Sequence, residues 1–189
     1  MIYKHMYCGY KKDGKVTIKD DERIITASAA TFDGMTFLYF ETKDEKLTAS
    51  DVAEGNMSSF PDGNGWFEMS EIFHYFTPEN DEQWERKIAD KKPVFLINQL
   101  NRDKIASYIY YHFDHQSSNP YDVDKFMSIF IYGDFIVMYC ESPTEKVTWQ
   151  DIEGRYHKPD NPNWDDLMDE HFKAWPDGEK KWVRIEETE

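Results

Sequence analysis

The chain states one motif twice: "YFETKDEKLTASDVAEG" at 39–55 returns as "YCESPTEKVTWQDIEG" at 139–154. At an offset of 100, Tyr39, Glu41, Glu45, Lys46, Thr48 and Asp51 are identical to Tyr139, Glu141, Glu145, Lys146, Thr148 and Asp151. A shift of two residues carries the register on to Pro61/Pro159, Asp62/Asp160, Trp66/Trp164, Pro78/Pro176, Trp84/Trp182 and Arg86/Arg184. Tryptophan is too rare for two aligned pairs to be casual, and two copies are too few for a solenoid. The sequence therefore predicts repeat one over 1–90, a bridging segment at 91–102, and repeat two over 103–189. The two repeats are expected to pack about a pseudo-twofold axis.

Read locally, each copy gives a mostly antiparallel α+β unit. "RIITASAATF" and "MTFLYFET" flank Asp33-Gly34, and "KFMSIFIY" and "FIVMYCES" flank Gly133-Asp134. Runs rich in β-branched and aromatic residues around such a pair predict a tight hairpin. Thr48 with Asp51 and Gly55, and Thr148 with Asp151 and Gly154, have the spacing of a short capped helix, which explains them without chemistry. A Pro-Asp loop then leads to a main helix, "WFEMSEIFHYF" or "NWDDLMDEHFKAW", with Trp66, Met69, Phe73 and Phe76, or Trp164, Leu167, Met168 and Phe172, as the apolar stripe. A closing strand ("QWERKI", "KWVRIEE") and an opening strand ("IYKHMYCGY", "IASYIYYHF") complete each copy, and "PVFLINQL" reads as a bridging strand. The order is β-β-β-α-β, which resembles a ferredoxin-like unit without its first crossover helix. Fold-level likeness carries no function.

The charge limits the partners. Thirty-seven acidic residues against 22 Lys and Arg give a formal net charge of -15. A phosphate backbone or an anionic membrane needs clustered cations, so nucleic acid and membrane are excluded as expected partners. A small molecule or a basic protein remains. No apolar stretch approaches a membrane span, and the N-terminus lacks an apolar signal core. With only Cys8 and Cys140 there is no disulfide framework. The expected setting is a reduced cytoplasm, with no cofactor and no metal.

Catalytic motifs are missing: there is no nucleophile elbow, phosphate-cradling glycine loop or dinucleotide fingerprint. The densest polar-aromatic cluster is "YIYYHFDHQ" at 108–116. As a strand it places Tyr108, Tyr110, His112, Asp114 and Gln116 on one face. His112 and Asp114 can then share a proton or a cation. His171 aligns with Phe73, so the second copy has gained a polar group at the rim of its helix stripe. Tyr108, Tyr110, His112, Asp114 and His171 are accordingly the candidate ligand-binding residues, in an aromatic-lined cleft between the repeats. Arg86 and Arg184 alternate with Trp84 and Trp182, a spacing suited to stacking on an indole or forking onto Glu41 or Glu141. Three functions fit these residues. One is a binding or interaction module. The second is a small-molecule enzyme of isomerase, oxygenase or hydrolase type using His112 and Asp114. The third is an acidic inhibitor or immunity-type protein for a basic partner.

Overall fold

The computed structural model describes residues 1–10, 15–54, 65–117, 121–155 and 161–187, and the fold is α+β with mostly antiparallel sheet and few helices. The chain divides into two compact units, Met1–Ser70 with Ile185–Glu189, and Glu71–Arg184. Pro61, Asp62, Gly55, Pro159 and Asp160 of the repeat register lie outside the described residues. Among the described residues no helix is long and apolar enough to cross a membrane.

In the first unit β1 (Ile2–Tyr10) pairs antiparallel with β4 (Met35–Lys43), which pairs with β3 (Ile24–Phe32). A small β2 (Thr17–Ile18) pairs with β5 (Ala53–Glu54) after α1 (Ala49–Val52), and β6 (Phe67–Glu68) pairs with the free edge of β1. The strand order is β6-β1-β4-β3. Asp33 and Gly34 both take positive φ, at 48° and 77°, as a two-residue hairpin turn of matching twist demands. At a φ of 77° Gly34 avoids the strain of a side chain, and a Cβ there would also press on the Tyr10 ring at 2.9 Å, so the turn favours glycine. Tyr7, Leu38, Phe40, Leu47 and Val52 form the core of this unit, and Trp66 packs at its edge.

The second unit uses β7 (Ser70–His74), a 3-10 turn at Glu82–Trp84, β8 (Lys92–Gln99), α2 (Ile105–Gln116), β9 (Ser128–Tyr132), β10 (Phe135–Ser142) and α3 (Trp164–Asp169). Its strand order is β8-β10-β9-β7. The last strand, β11 (Val183–Glu187), ends in residues of the first unit, where Glu186 and Glu187 lie opposite Thr31 and Ala30 of β3. Strand pairing sorts the second unit into two layers. Ile129 opposes Met138 and Ile131 opposes Ile136, which gives one apolar face, covered by α2 and α3 through Tyr108, Met168 and Phe172. Phe95, Tyr139 and Glu141 lie on the other face.

Four expectations need correction. Residues 105–116 form a helix, not an opening strand. Ile105, Tyr108, Tyr111 and His112 recur at helical spacing, and burying that stripe outweighs the strand preference of its aromatic residues. Residues 66–76 form β6 and β7 rather than a main helix, although Trp66, Met69, Phe73 and Phe76 mimic a helical stripe. Phe73 is buried from a strand beside β9. "QWERKI" contains the 3-10 turn and no strand. "PVFLINQL" is a strand, but it is no mere bridge: β8 pairs with β10 as β1 pairs with β4.

Candidate functional site

A cavity of about 300 Å³ opens within the second unit, lined among others by Phe73, Tyr75, Tyr108, His112, Trp164 and Trp182. Its floor is the apolar sheet face, where Ile129 and Met138 reach it, and its mouth carries Asp165, Asp169 and Lys180. The helix α2 positions the polar wall. Tyr108 and His112 are four residues apart, so they stack on one face with ring centroids 4.1 Å apart. His112 is 4% exposed and is held edge-on to Phe73 at 5.1 Å and to Trp164 at 5.0 Å.

The hydrogen bonding of His112 fixes its chemistry. Its Nδ1–H donates to the Tyr108 carbonyl at 2.9 Å, one turn earlier, which leaves Nε2 as the atom with a lone pair. Burial lowers its pKa to about 4; the bond to Tyr108 opposes that shift and the neighbouring His115 and His171 reinforce it. The imidazole is therefore neutral at pH 7 and offers an acceptor. Burial likewise raises the Tyr108 phenol, which stays protonated.

The five residues singled out from sequence divide. Tyr108 and His112 line the cavity. His171 lies 5.9 Å from the Tyr108 ring, fully buried, and both its nitrogens have partners: Nδ1–H donates to Leu167 O at 2.9 Å, and Nε2 lies 2.9 Å from the Ser107 hydroxyl, whose one proton is shared with Lys104 O at 3.0 Å. Tyr110 is 65% exposed and Asp114 is exposed, on other sides of α2. His112 and Asp114 do not converge, because residues two apart on a helix point in different directions. Asp165 and Asp169, not Asp114, are the carboxylates that line the cavity. Sequence reasoning missed them, together with Lys180 and Tyr75. Trp164 and Trp182 were singled out from the repeat, but as framework residues.

The opposite layer of the second unit holds a buried charge network. Glu141 is forked by Arg86 (Nη2 2.7 Å, Nε 3.1 Å) and approached by Lys91 at 3.6 Å. The Tyr139 hydroxyl donates to the same carboxylate at 3.1 Å. The Arg86 guanidinium lies 4.2 Å over Phe126 and 5.8 Å from the Trp84 ring, so this arginine both stacks and forks. Lys125, 2% exposed, sits 3.7 Å from Glu145 and 3.9 Å from Asp151. Burial lowers its pKa while Asp151 and Glu145 oppose the shift. Burial also raises Asp124 to about 6, with Glu141 and Glu145 adding to the effect and Lys91 working against it.

Neither cysteine suits nucleophilic chemistry, since burial raises both Cys8 and Cys140 to about 12. Among the described residues no group of three or more His, Cys, Asp or Glu is placed to hold a metal ion. Comparison with known proteins found no family model, no curated protein and no solved structure that matches the chain.

Proposed function

We propose that the protein is a small-molecule binding module whose site is the cavity beneath α2 in the second unit. The observation that carries this reading is His112: a buried, neutral imidazole lining a cavity with an unspent acceptor atom. The His112 Nε2 makes no hydrogen bond among the described residues, so a ligand donor arriving in the cavity can satisfy it. Aromatic walls around a few oriented polar groups are the usual composition of a ligand pocket, and the volume lies at the small end of the range. Binding is favoured over turnover because His112 has no carboxylate beside it to share a proton. The inhibitor reading rests on net charge alone.

The test is a fragment screen by thermal shift on wild type, His112→Ala and Tyr110→Phe. Ligands of the cavity lose at least about tenfold in affinity in His112→Ala, roughly the worth of one hydrogen bond to a buried group. They bind Tyr110→Phe unchanged. Hits that ignore both substitutions bind elsewhere and refute the site.

We further infer that the fold arose by internal duplication, with boundaries revised from those of the sequence reading. The matched registers support it: Ser28 opposes Tyr39 as Ser128 opposes Tyr139, and Met6 opposes Tyr39 as Phe95 opposes Tyr139. Copy two then starts at β8, and α2 is an addition between its first and second strands. β8-α2-β9-β10-α3-β11 has the element order of a ferredoxin-like unit, and β6-β1-β4-β3 has its last strand beside its first. Solving each unit separately and superposing β1-β3-β4 on β8-β9-β10 checks the relation. A Cα deviation of several ångströms over these strands would refute it.

A further inference from the structure

We infer that the cavity selects small organic cations, and specifically a primary ammonium carried on an aromatic ring. This inference rests on the cavity being the binding site and adds the chemical class of its occupant.

The charges of the lining point one way. Its acids are Asp165 and Asp169, and among the described lining residues its one cationic side chain at neutral pH is Lys180. The Lys180 ammonium is spent on Asp169, 3.3 Å from Oδ2 and 3.3 Å from the carbonyl oxygen. Asp165 makes no hydrogen bond or ion pair among the described residues, and its carboxylate is exposed at the mouth. An incoming anion meets an exposed carboxylate and a lysine already committed. An incoming cation meets attraction.

The walls favour the same class. Indole is the best aromatic partner for a cation, and Trp164 and Trp182 both line the space, with Tyr75 and Phe73 beside them. Deeper in, the Nε2 of His112 accepts an N–H, because the other nitrogen is committed to the Tyr108 carbonyl. An ammonium supplies three donors and no acceptor, and so matches an acceptor-bearing wall and an acidic mouth. The remaining volume is apolar, lined by Ile129 and Met138, and suits a ring rather than a second charge. Long-range attraction acts in the same sense, since the chain carries a net charge of -15.

The experiment titrates the full chain at neutral pH and low salt with benzylamine, benzyl alcohol and benzoate, three probes alike in ring and different in charge. Indole resonances of Trp164 and Trp182 are followed by NMR. Benzylamine is expected to bind about tenfold tighter than benzyl alcohol, with benzoate weakest, on the scale of a partly desolvated cation–π contact plus a nearby charge. Asp165→Asn is expected to weaken benzylamine about three- to tenfold and to leave benzyl alcohol unchanged. Raising the salt concentration should weaken benzylamine, relieve the repulsion of benzoate and leave benzyl alcohol unchanged. Equal affinities for amine and alcohol, or preference for benzoate, would overturn the cation class while leaving the cavity as the site. If none of the probes moves the Trp164 or Trp182 resonances, the cavity itself fails as a site and the inference falls with it.

Discussion

Glu45 and Glu145 hold the same place in two matched segments and keep different company. In both segments a tyrosine hydroxyl donates to the glutamate two residues on, Tyr39 to Glu41 at 2.7 Å and Tyr139 to Glu141 at 3.1 Å. In both, a threonine donates its N–H and hydroxyl to the aspartate three residues on. Yet the Glu45 side chain is half-exposed beside Arg23, whereas Glu145 is buried, accepts from the Lys87 and Ile88 amides, and faces Lys125. The polar skeleton is common to both units, and the second unit carries α2 on its apolar layer and the Arg86–Glu141 and Lys125–Glu145 contacts on the opposite layer. Shared residues are explained by the fold. Chemistry is to be sought among the unshared ones and where a shared residue has changed its company.

The comparison is broken or sharpened by substitution at matched positions. The largest difference is expected between Trp84 and Trp182. Trp84 is buried and packs on Phe76 and Phe126 at 6.3 and 5.0 Å, so Trp84→Ala should cost about 3–5 kcal/mol. Trp182 is half-buried at the cavity, and Trp182→Ala should cost about 1–2 kcal/mol while weakening ligand binding. Denaturant unfolding of both variants checks this, and equal losses would mean that the aligned tryptophans serve one role. Next, Glu145→Ala should cost about 2–4 kcal/mol by stranding Lys125 and two amides, against less than about 1 kcal/mol for Glu45→Ala.

Protonation separates the two layers of the second unit by sign. His112 is lowered to about 4, so the unfolded chain binds its proton first, and the stability it contributes is present above pH 6.5 and lost as pH falls toward 4. Asp124 is raised to about 6, so the folded state keeps its proton longer, and its contribution is present below pH 3.8 and lost as pH rises toward 6. The two slopes oppose each other between about pH 4 and 6. His112→Asn should remove the rising slope and Asp124→Asn the falling one, each on the order of 1–3 kcal/mol across the window. A pH titration of the unfolding midpoint reads both. Small effects are also expected at the threonine–aspartate pairs, where Thr48→Ala at the start of α1 and Thr148→Ala in the matching turn should each cost about 1 kcal/mol or less.

The hairpins, the Thr48 capping box and the Arg86 contacts were legible in the sequence because each is local or repeated; Thr148 makes the expected bonds to Asp151, but residues 149–154 form turns and not the expected short helix. Asp33-Gly34 dictates its own turn, and Thr48-x-x-Asp51 its own bonds. The site was half legible. Tyr108 and His112 were found through their aromatic-polar density, but the period was misread, so Tyr110 and Asp114 were grouped with them across a face that a helix does not have. Their spacing of four was the signal for a helix. The β7 segment failed in the opposite direction, because Trp66, Met69, Phe73 and Phe76 fall at helical spacing while the edge of β9 supplies strand partners that no local pattern reveals. Asp165, Asp169 and Lys180 meet at the cavity through tertiary packing of α3 against the segment that follows it. Spacing alone does not announce such a meeting.

The most direct test of the cavity as the functional site is a tryptophan-resolved titration, since the six tryptophans are spread along the chain. With each indole assigned by Trp→Phe substitution, a ring-bearing amine added to the wild-type protein is followed by NMR. Saturable shifts at Trp164 and Trp182, with Trp66 and Trp84 unmoved and the response abolished in His112→Ala, are predicted. Saturable shifts at Trp66 or Trp84 with Trp164 and Trp182 silent would contradict the account.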